Sequence, residues 1–346
     1  MDILKKGKKL ATAGKHDIVC GGGSSVPIFT SKSTQTQLLK ILLSEKCSFD
    51  CKYCKNRCSK RGVSLKPEEL CRLFNHLVRK GAVNGLFLSS GIEKNVDKTM
   101  EKMLRAAELV RKSGFEGYIH LKVMPGSSRY HIEEASRLAD RISLNMEVPK
   151  KTYLSDLSSV KDYNTDIKRR FRWISEQDVS HTTQFIVGAT QETDLSILEC
   201  SNRLYKDLGT NRVYYSGFEA LDDTPLADSE PIDEWRVGRL YQADFLIRKY
   251  DYRIEDLSKG LVKGMMVDED PKVRIASEVL DGPVDPSSDP YEEIIKVPGI
   301  GEKRGKMLTN MSGISSTDEL FEKGIPKKSI PFLKINGSIQ SKLSNF

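Results

Sequence analysis

The stretch LLKILLSEKCSFDCKYC, residues 38–54, joins the two signals that decide the fold. Its first six residues, Leu38–Leu43, form a short apolar run of strand length. Its last eight place Cys47, Cys51 and Cys54 at offsets of four and three in the loop that follows. The apolar run followed by a longer amphipathic run recurs six times along the chain. Strands are expected over residues 38–43, 85–90, 118–124, 141–148, 182–188 and 212–218. Between them PEELCRLFNHLVRKG, VDKTMEKMLRAAELVRKSG, HIEEASRLAD, DIKRRFRWISEQ and DLSILECSNRLYKDLG read as helices, and PIDEWRVGRLYQADFLIRKY follows the last strand. Pro67 and Pro231 stand at first-turn positions, and Gly81 and Gly114 where helices stop. Six β/α units in succession imply a parallel sheet with right-handed crossovers, open or curled; the curled form, a partial (β/α)6 barrel resembling part of a TIM barrel, is preferred. Ligands of such sheets meet the carboxyl ends of the strands, which is where the cysteine loop falls.

The composition suits one large α/β domain and a smaller second one: 346 residues, 38% hydrophobic and 30% charged. No apolar run is long enough to cross a bilayer. The N-terminus, MDILKKGKKLATAGKHD, is basic but lacks the apolar stretch of a secretory signal, so the expected location is the cytoplasm. Seven cysteines kept reduced there do not make a disulfide framework. Charge is uneven. Residues 1–70 hold 14 Lys and Arg against 6 Asp and Glu, residues 291–346 hold 9 against 6, and the middle is net acidic. Positive charge at the cysteine loop and the tail is where a polyanion would be met.

The expected division is an extension over 1–34 with no clear element, the barrel over 35–250, a connecting segment over 251–290 and a small all-α unit over 291–346. DGPVDPSSDPYEE, residues 281–293, reads as a linker.

Three clustered thiols admit two metal readings. A structural zinc ion wants four ligands, and Cys58 is available as the fourth. An iron–sulfur cluster held by three cysteines leaves one iron open to an external ligand, unlike the four thiolates usual in electron transfer. Cys71 and Cys200 lie on helix faces among apolar residues and read as buried and inert. Cys58 sits beside Arg57 and Lys60, which favour a thiolate without assigning it a role. Cys20, ahead of the glycine loop GGGSS, is a candidate catalytic thiol, as hydrogen-atom donor or second ligand. On strand three His120, Lys122 and Met124 share a face with Tyr118. A lysine on an inward face is costly unless paired. On strand four Ser143, Asn145 and Glu147 share one face and apolar residues the other. Parallel strands are usually apolar on both faces, so this points to a lined cavity.

The spacing C-x3-C-x2-C, with Tyr53 before the third cysteine, resembles the radical S-adenosylmethionine (radical SAM) enzymes. That resemblance implies a [4Fe–4S] cluster on Cys47, Cys51 and Cys54 with Tyr53 packed beside it. It also implies S-adenosylmethionine chelated at the open iron and an electron donor such as flavodoxin or ferredoxin. Reduction would release a 5′-deoxyadenosyl radical that abstracts hydrogen from a substrate. For the cofactor, the resemblance implies that backbone of Ser89, Ser90 and Gly91 meets the methionine amino group. Here SSGI replaces the family's Gly-Gly-Glu-Pro-like stretch and lacks its acid. Lys122 would take the methionine carboxylate, Asn145 and Glu147 would make polar ribose or amino contacts, and Gly188 would approach the adenine. Tyr214 and Ser216 on strand six are weaker candidates.

The tail holds VPGIGEKRGKML, residues 297–308, which resembles a helix-hairpin-helix motif. Two glycines permit the tight turn, and amides opening the second helix would meet a phosphate. The implied nucleic-acid contacts are Gly299, Ile300, Gly301, Lys303 and Arg304, which fix position on a backbone without reading bases. Gly305 stands where many such motifs carry alanine; glycine there costs a helix on the order of 1 kcal/mol and puts tight packing in question. With LFLSSGI, GYIHLKVMPG, TTQFIVGAT and RLYQADFL, the chain resembles a narrower group: radical SAM proteins with this tail, linked to DNA modification or repair. The resemblance implies an enzyme acting on a base or sugar of duplex DNA. The alternatives are modification of transfer or ribosomal RNA, and a non-catalytic nucleic-acid-binding protein with a structural or redox-sensing metal.

Overall fold

The computed structural model describes residues 3–13, 28–30, 36–311 and 313–335. The candidate thiol Cys20 and its glycine loop lie outside these residues. In chain order the elements are α1 (Ile3–Ala13), β1 (Ile28–Thr30), β2 (Gln37–Leu42), α2 (Pro67–Arg79), β3 (Gly85–Ser89), α3 (Val96–Lys112), β4 (Tyr118–Lys122), α4 (Arg129–Leu138), β5 (Arg141–Ser143), α5 (Lys151–Leu157), α6 (Arg169–Ser175), β6 (Ser180–Val187), α7 (Asp194–Leu208) and β7 (Arg212–Gly217). There follow α8 (Glu234–Tyr250), α9 (Ile254–Lys259), α10 (Pro271–Val279), α11 (Tyr291–Ile294), α12 (Glu302–Thr309) and α13 (Thr317–Glu322).

The seven strands are hydrogen-bonded in sequence order, β1 antiparallel and β2 to β7 parallel. Strands that follow one another without reversal, each joined by a right-handed crossover, put their helices on one face and curl the sheet into a half-barrel. The strands show which face is which. Leu39, Ile41, Leu86, Leu88, Ile119 and Leu121 are buried on the face that meets the helices. The alternate residues line the concave face, and several are polar: Lys40, His120, Lys122, Ser143, Thr182 and Gln184 are each at most 5% exposed, with Phe87 between Lys40 and His120.

Local signals explain the helix ends. Pro67 opens α2, where Glu69 accepts from the Lys66 amide at 2.8 Å, and Asn95 caps α3 by accepting from Lys98. Gly81 and Gly114 stop α2 and α3 in the left-handed region (φ 66° and 89°). Pro231 does not open α8, which starts at Glu234.

Two corrections concern segments read as unstructured. Residues 1–34 contain α1, which buries Leu10 and Ala11 completely and brings Gly7 against Leu73, and β1, which adds an antiparallel edge strand. The Lys-rich composition of α1 masks a narrow apolar stripe. Nor is 281–293 a free linker: Val284 is 3% exposed, its amide donates to Phe332 O at 2.8 Å, and its carbonyl accepts from the Lys334 amide. Its Pro, Asp and Ser build turns around that anchor.

The chain forms two compact units. The first comprises Met1–Glu192 and Arg203–Ile232, the second Thr193–Asn202 and Asp233–Phe346. This differs from division at 250 and 290, because α8 goes with the tail. Tyr252 OH donates to Lys296 O at 3.3 Å, and a side chain at Gly301 would meet Tyr250 OH at 2.7 Å. The second unit has its own apolar core, including Ile294, Val297, Ile300, Leu308, Leu320 and Phe332. Among the described residues no helix is long and apolar enough to cross a membrane.

Candidate active site

The cysteine loop leaves β2 and folds back on itself. Ser44 bridges to Ser64, the Cys47 amide donates to Ser59 O at 3.0 Å and the Cys58 amide to Phe49 O at 2.8 Å. These closures gather Cys47, Cys51 and Cys54, with Cys51 buried and the other two half-buried. The thiols sense one another. Burial, then the backbone and the neighbouring thiols, sets Cys54, whose pKa is pushed up to about 12; Cys51 is raised chiefly by burial. An iron cluster would take all three as thiolates.

Cys58 stands apart. Its side chain is exposed, and its backbone is left-handed at φ 49° to make the turn. Among the described residues no three His, Cys, Asp or Glu side chains gather around a point as one metal ion would need.

The loop is anchored on three sides. Asp50 accepts from Ser158 Oγ at 2.5 Å, from the Ser159 amide at 3.0 Å and from Ser159 Oγ at 2.6 Å. Burial opposes its charge, but these bonds outweigh it and hold the carboxyl near about 2. On the second side, the Ser48 amide donates to Ile92 O at 2.7 Å and the Gly91 amide to Ser44 O at 2.8 Å. A side chain at Gly91 would lie 2.4 Å from Lys46 O, so only glycine lets the SSGI stretch press against the loop.

The third anchor is Glu93, which accepts from Ser64 Oγ at 2.6 Å, from Ser44 Oγ at 3.0 Å and from Lys102. Partial burial works against this carboxylate, yet the three donors outweigh it and hold its pKa near about 2, against an ordinary 4.5. A depressed carboxyl stabilises the fold above its ordinary pKa, and that contribution is lost as pH falls toward the folded value. Glu93→Gln is therefore expected to cost about 1–2 kcal/mol at pH 7, discounted because Lys102 is half-exposed. The deficit should close between pH 4.5 and about 2. Urea unfolding of the cluster-free protein across that range measures it, and a deficit independent of pH would sink the assignment.

A buried chain of polar groups runs from the loop into the half-barrel. Tyr53 OH donates to Glu147 Oε2 at 2.8 Å, and Lys161 Nζ donates to Glu147 Oε1 at 2.9 Å. The Lys161 and Glu147 side chains are each 4% exposed. Burial alone would push the Lys161 ammonium down; the adjacent Cys51 sulfur, to which it is hydrogen-bonded, and Glu147 overturn this and hold it charged. Burial and the Glu147 charge keep Tyr53 protonated, so it is a neutral donor. Glu147 has φ 65°, rare for a residue with a side chain, and the backbone over-determines it. Its amide donates to Gln184 O at 3.0 Å, and its carbonyl accepts from the Ile186 amide at 2.8 Å.

The structure thus unites Tyr53, Glu147 and the three cysteines, and places Asn145 beside them, its Nδ2 3.5 Å from Glu147 Oε2. Ser89 ends β3, with its carbonyl taken by the Leu43 amide at 2.8 Å; Ser90 Oγ donates to Gly91 O at 2.7 Å. Lys122 is buried on the concave face at the end of β4. Gly188 follows β6 at φ 86°, its amide donating to Glu192 Oε1 at 2.6 Å. Lys161 was not foreseen. It lies fourteen residues beyond Glu147 in SSVKDYN, where no motif or periodicity marks it; only the fold returns it to Cys51.

Residues 41–204 match the model of the radical SAM superfamily. The match falls on the half-barrel. Members of that superfamily are enzymes, and a [4Fe–4S] cluster and S-adenosylmethionine are their cofactors. Among solved structures the fold is similar to methylornithine synthase (PylB) at 16% identity and TM-score 0.51, over 60% of this chain and 62% of that one. It is also similar to the FeFe-hydrogenase maturase HydG from Carboxydothermus hydrogenoformans at 16% identity and TM-score 0.50, over 60% and 50%. The chain covers about half of the first such structures. No curated protein matches it. The radical SAM donor set fits its cluster: three thiols converge at the strand ends, and Lys161 at Cys51 offsets part of the negative charge that thiolates bring. In that superfamily, cluster and S-adenosylmethionine together supply one-electron cleavage of a carbon–sulfur bond and, through it, hydrogen-atom abstraction.

Proposed function

We propose that this chain is a radical SAM enzyme that acts on nucleic acid, duplex DNA foremost, and directs hydrogen abstraction at a base or sugar carbon. It is read as a cytoplasmic enzyme fed electrons by a flavodoxin or ferredoxin. Cys47, Cys51 and Cys54 hold the cluster. Tyr53, Glu147 and Lys161 lock the cluster loop to the half-barrel. Ser89, Ser90, Gly91, Lys122, Asn145 and Gly188 surround the cofactor.

The observation that carries the nucleic-acid reading is the turn Pro298–Gly301 between α11 and α12. Gly299 takes φ 79°, and Gly301 caps α12 without a side chain, leaving its first-turn amides for another acceptor. Lys303 is exposed beside them, and Arg304 Nη1 donates to Gly299 O at 3.1 Å, which folds the guanidinium over the turn. Ile300 contributes through backbone alone, since its side chain is in the core; its carbonyl accepts from Lys272 Nζ at 2.6 Å. Gly305 assists packing rather than weakening it. A side chain there would meet Tyr291 and Ile295 at 3.0 Å, so glycine permits the close approach of α11 and α12.

The test is 5′-deoxyadenosine formation by the reconstituted, reduced protein with duplex DNA, single-stranded RNA or nothing added. Stimulation by duplex DNA above both other conditions is expected. Stimulation by RNA alone would move the substrate to RNA, and turnover indifferent to either would remove nucleic acid from the reading.

A further inference from the structure

Side chains hold the carbonyls of the turn Pro298–Gly301. Ser329 Oγ donates to Pro298 O at 2.5 Å, Arg304 Nη1 to Gly299 O at 3.1 Å and Lys272 Nζ to Ile300 O at 2.6 Å. Each carbonyl from Pro298 to Ile300 is thus engaged. The amides of Gly301, Glu302 and Lys303 meet no acceptor among the described residues. The turn keeps its acceptors for the protein and leaves its donors for a ligand.

Lys272 is the unusual member of that set. It lies in the first turn of α10 and is 9% exposed, with its ammonium 4.6 Å from the centre of the Tyr250 ring. The Asp270 carboxylate that acts on it is ion-paired with Lys328 at 2.7 Å instead. Burial pushes the Lys272 ammonium down to about 8; Asp270 opposes the fall and Lys328 adds to it. From α8 it faces the Tyr250 phenol, which burial raises above its ordinary value, and Glu302 of α12 and Tyr291 of α11 act on that phenol. A lysine whose pKa is lower folded than unfolded opposes folding while it is charged, and the penalty is relieved as pH rises from about 8 toward the unfolded value. At pH 7 the chain therefore keeps a cation beneath the turn at a cost to its own stability, where an apolar side chain would fill the space more cheaply.

The chemistry of the turn gives that cation a use. The Ile300 carbonyl and the Gly301 amide belong to one peptide unit. An ammonium at its oxygen polarises the unit and makes the N–H at its other end a stronger donor. The charge also adds to the positive end of α12.

We propose that Lys272 is a positioning residue for nucleic-acid backbone: its buried ammonium holds and polarises the Ile300–Gly301 peptide, so that the Gly301 amide takes a phosphate the lysine never touches. This rests on the nucleic-acid reading above and deepens it by naming the charge that sets the affinity of the turn.

The experiment measures fluorescence anisotropy of a labelled, mixed-sequence DNA duplex against the full-length cluster-loaded protein, at constant ionic strength, between about pH 6.5 and 9. Native affinity should fall about three- to tenfold between pH 7 and 9, the effect of one charge near a helix terminus. Lys272→Met should bind weaker by that factor at pH 7, show no pH dependence over the range and unfold thermally no earlier than the native protein. Lys272→Arg, charged throughout, should bind at pH 9 as the native protein does at pH 7. If Lys272→Arg unfolds early because the larger group does not fit, the native and Lys272→Met profiles decide. Native affinity independent of pH would overturn the proposal and leave the nucleic-acid reading standing. The same pH profile in Lys272→Met as in the native protein would place the titrating group elsewhere and overturn it too. Weak binding by a Lys272→Met variant that unfolds early would reduce Lys272 to a structural plug, which also overturns it. Absence of binding to the duplex at any pH would overturn both readings.

Discussion

Lys161→Met is expected to destabilise the half-barrel by about 3–5 kcal/mol, the range for removing one partner of a buried ion pair. The pair leaves no room for water to compensate, since both side chains are 4% exposed. With the ammonium gone, the Glu147 carboxyl is left in a low-dielectric site with the Tyr53 hydroxyl as its strong remaining side-chain donor. Urea unfolding of the cluster-free protein measures the loss. A Trp235→Phe background leaves Trp173 as the reporter, which lies in the half-barrel unit. The double variant Lys161→Met with Glu147→Gln should recover much of the deficit, because the uncompensated charge is then absent too. A single variant within about 1 kcal/mol of the native protein would mean that the pair is effectively solvated, as exposed pairs are. The loaded protein should respond as well. Lys161 is hydrogen-bonded to Cys51, so the variant should retain less iron under chelator challenge.

Gly91→Ala should have the second large effect, through sterics alone. The new methyl group would lie 2.4 Å from Lys46 O, 3.0 Å from Lys46 C and 3.1 Å from Ser44 O. These are backbone atoms immediately before Cys47, so no flexible side chain can yield. Overpacking of this kind costs about 1–3 kcal/mol or more. The strain can be relieved by moving the start of the cysteine loop, which also depends on the Gly91 amide bonded to Ser44 O. Iron and sulfide per chain after reconstitution should fall several-fold, with the circular dichroism of the fold largely kept. Full loading at native thermal stability would show that the SSGI stretch can retreat and that its contact does not position the loop.

Much of this site was readable in one dimension because it is built on periodicity and short spacing. The three cysteines lie within eight residues, and the polar alternation Ser143, Asn145, Glu147 announces a lined face before any coordinate is known. The reading went astray where local pattern and three-dimensional path part company. Residues 141–148 look like one strand, but β5 ends at Ser143, and Glu147 returns to the sheet only as a single bridge to Phe185 after taking φ 65°. Helix α1 was missed because its lysines outweigh a narrow buried stripe.

By itself the sequence determined the alternation of strand and helix, the polar faces of the third and fourth strands it reads and the triplet of thiols. All three are properties of neighbours a few residues apart. Only the tertiary structure decided which distant groups meet them: Lys161 on Glu147 and Cys51, Ser158 and Ser159 on Asp50, Glu93 on Ser44 and Ser64. It also left Asn145 Oδ1, Thr182 Oγ1 and Gln184 Oε1 buried without a hydrogen-bond partner. The physical reason is common to all of these. A charge or polar atom is tolerated in the interior only by a partner placed there by the fold, and that partner's position along the chain is under no constraint of spacing.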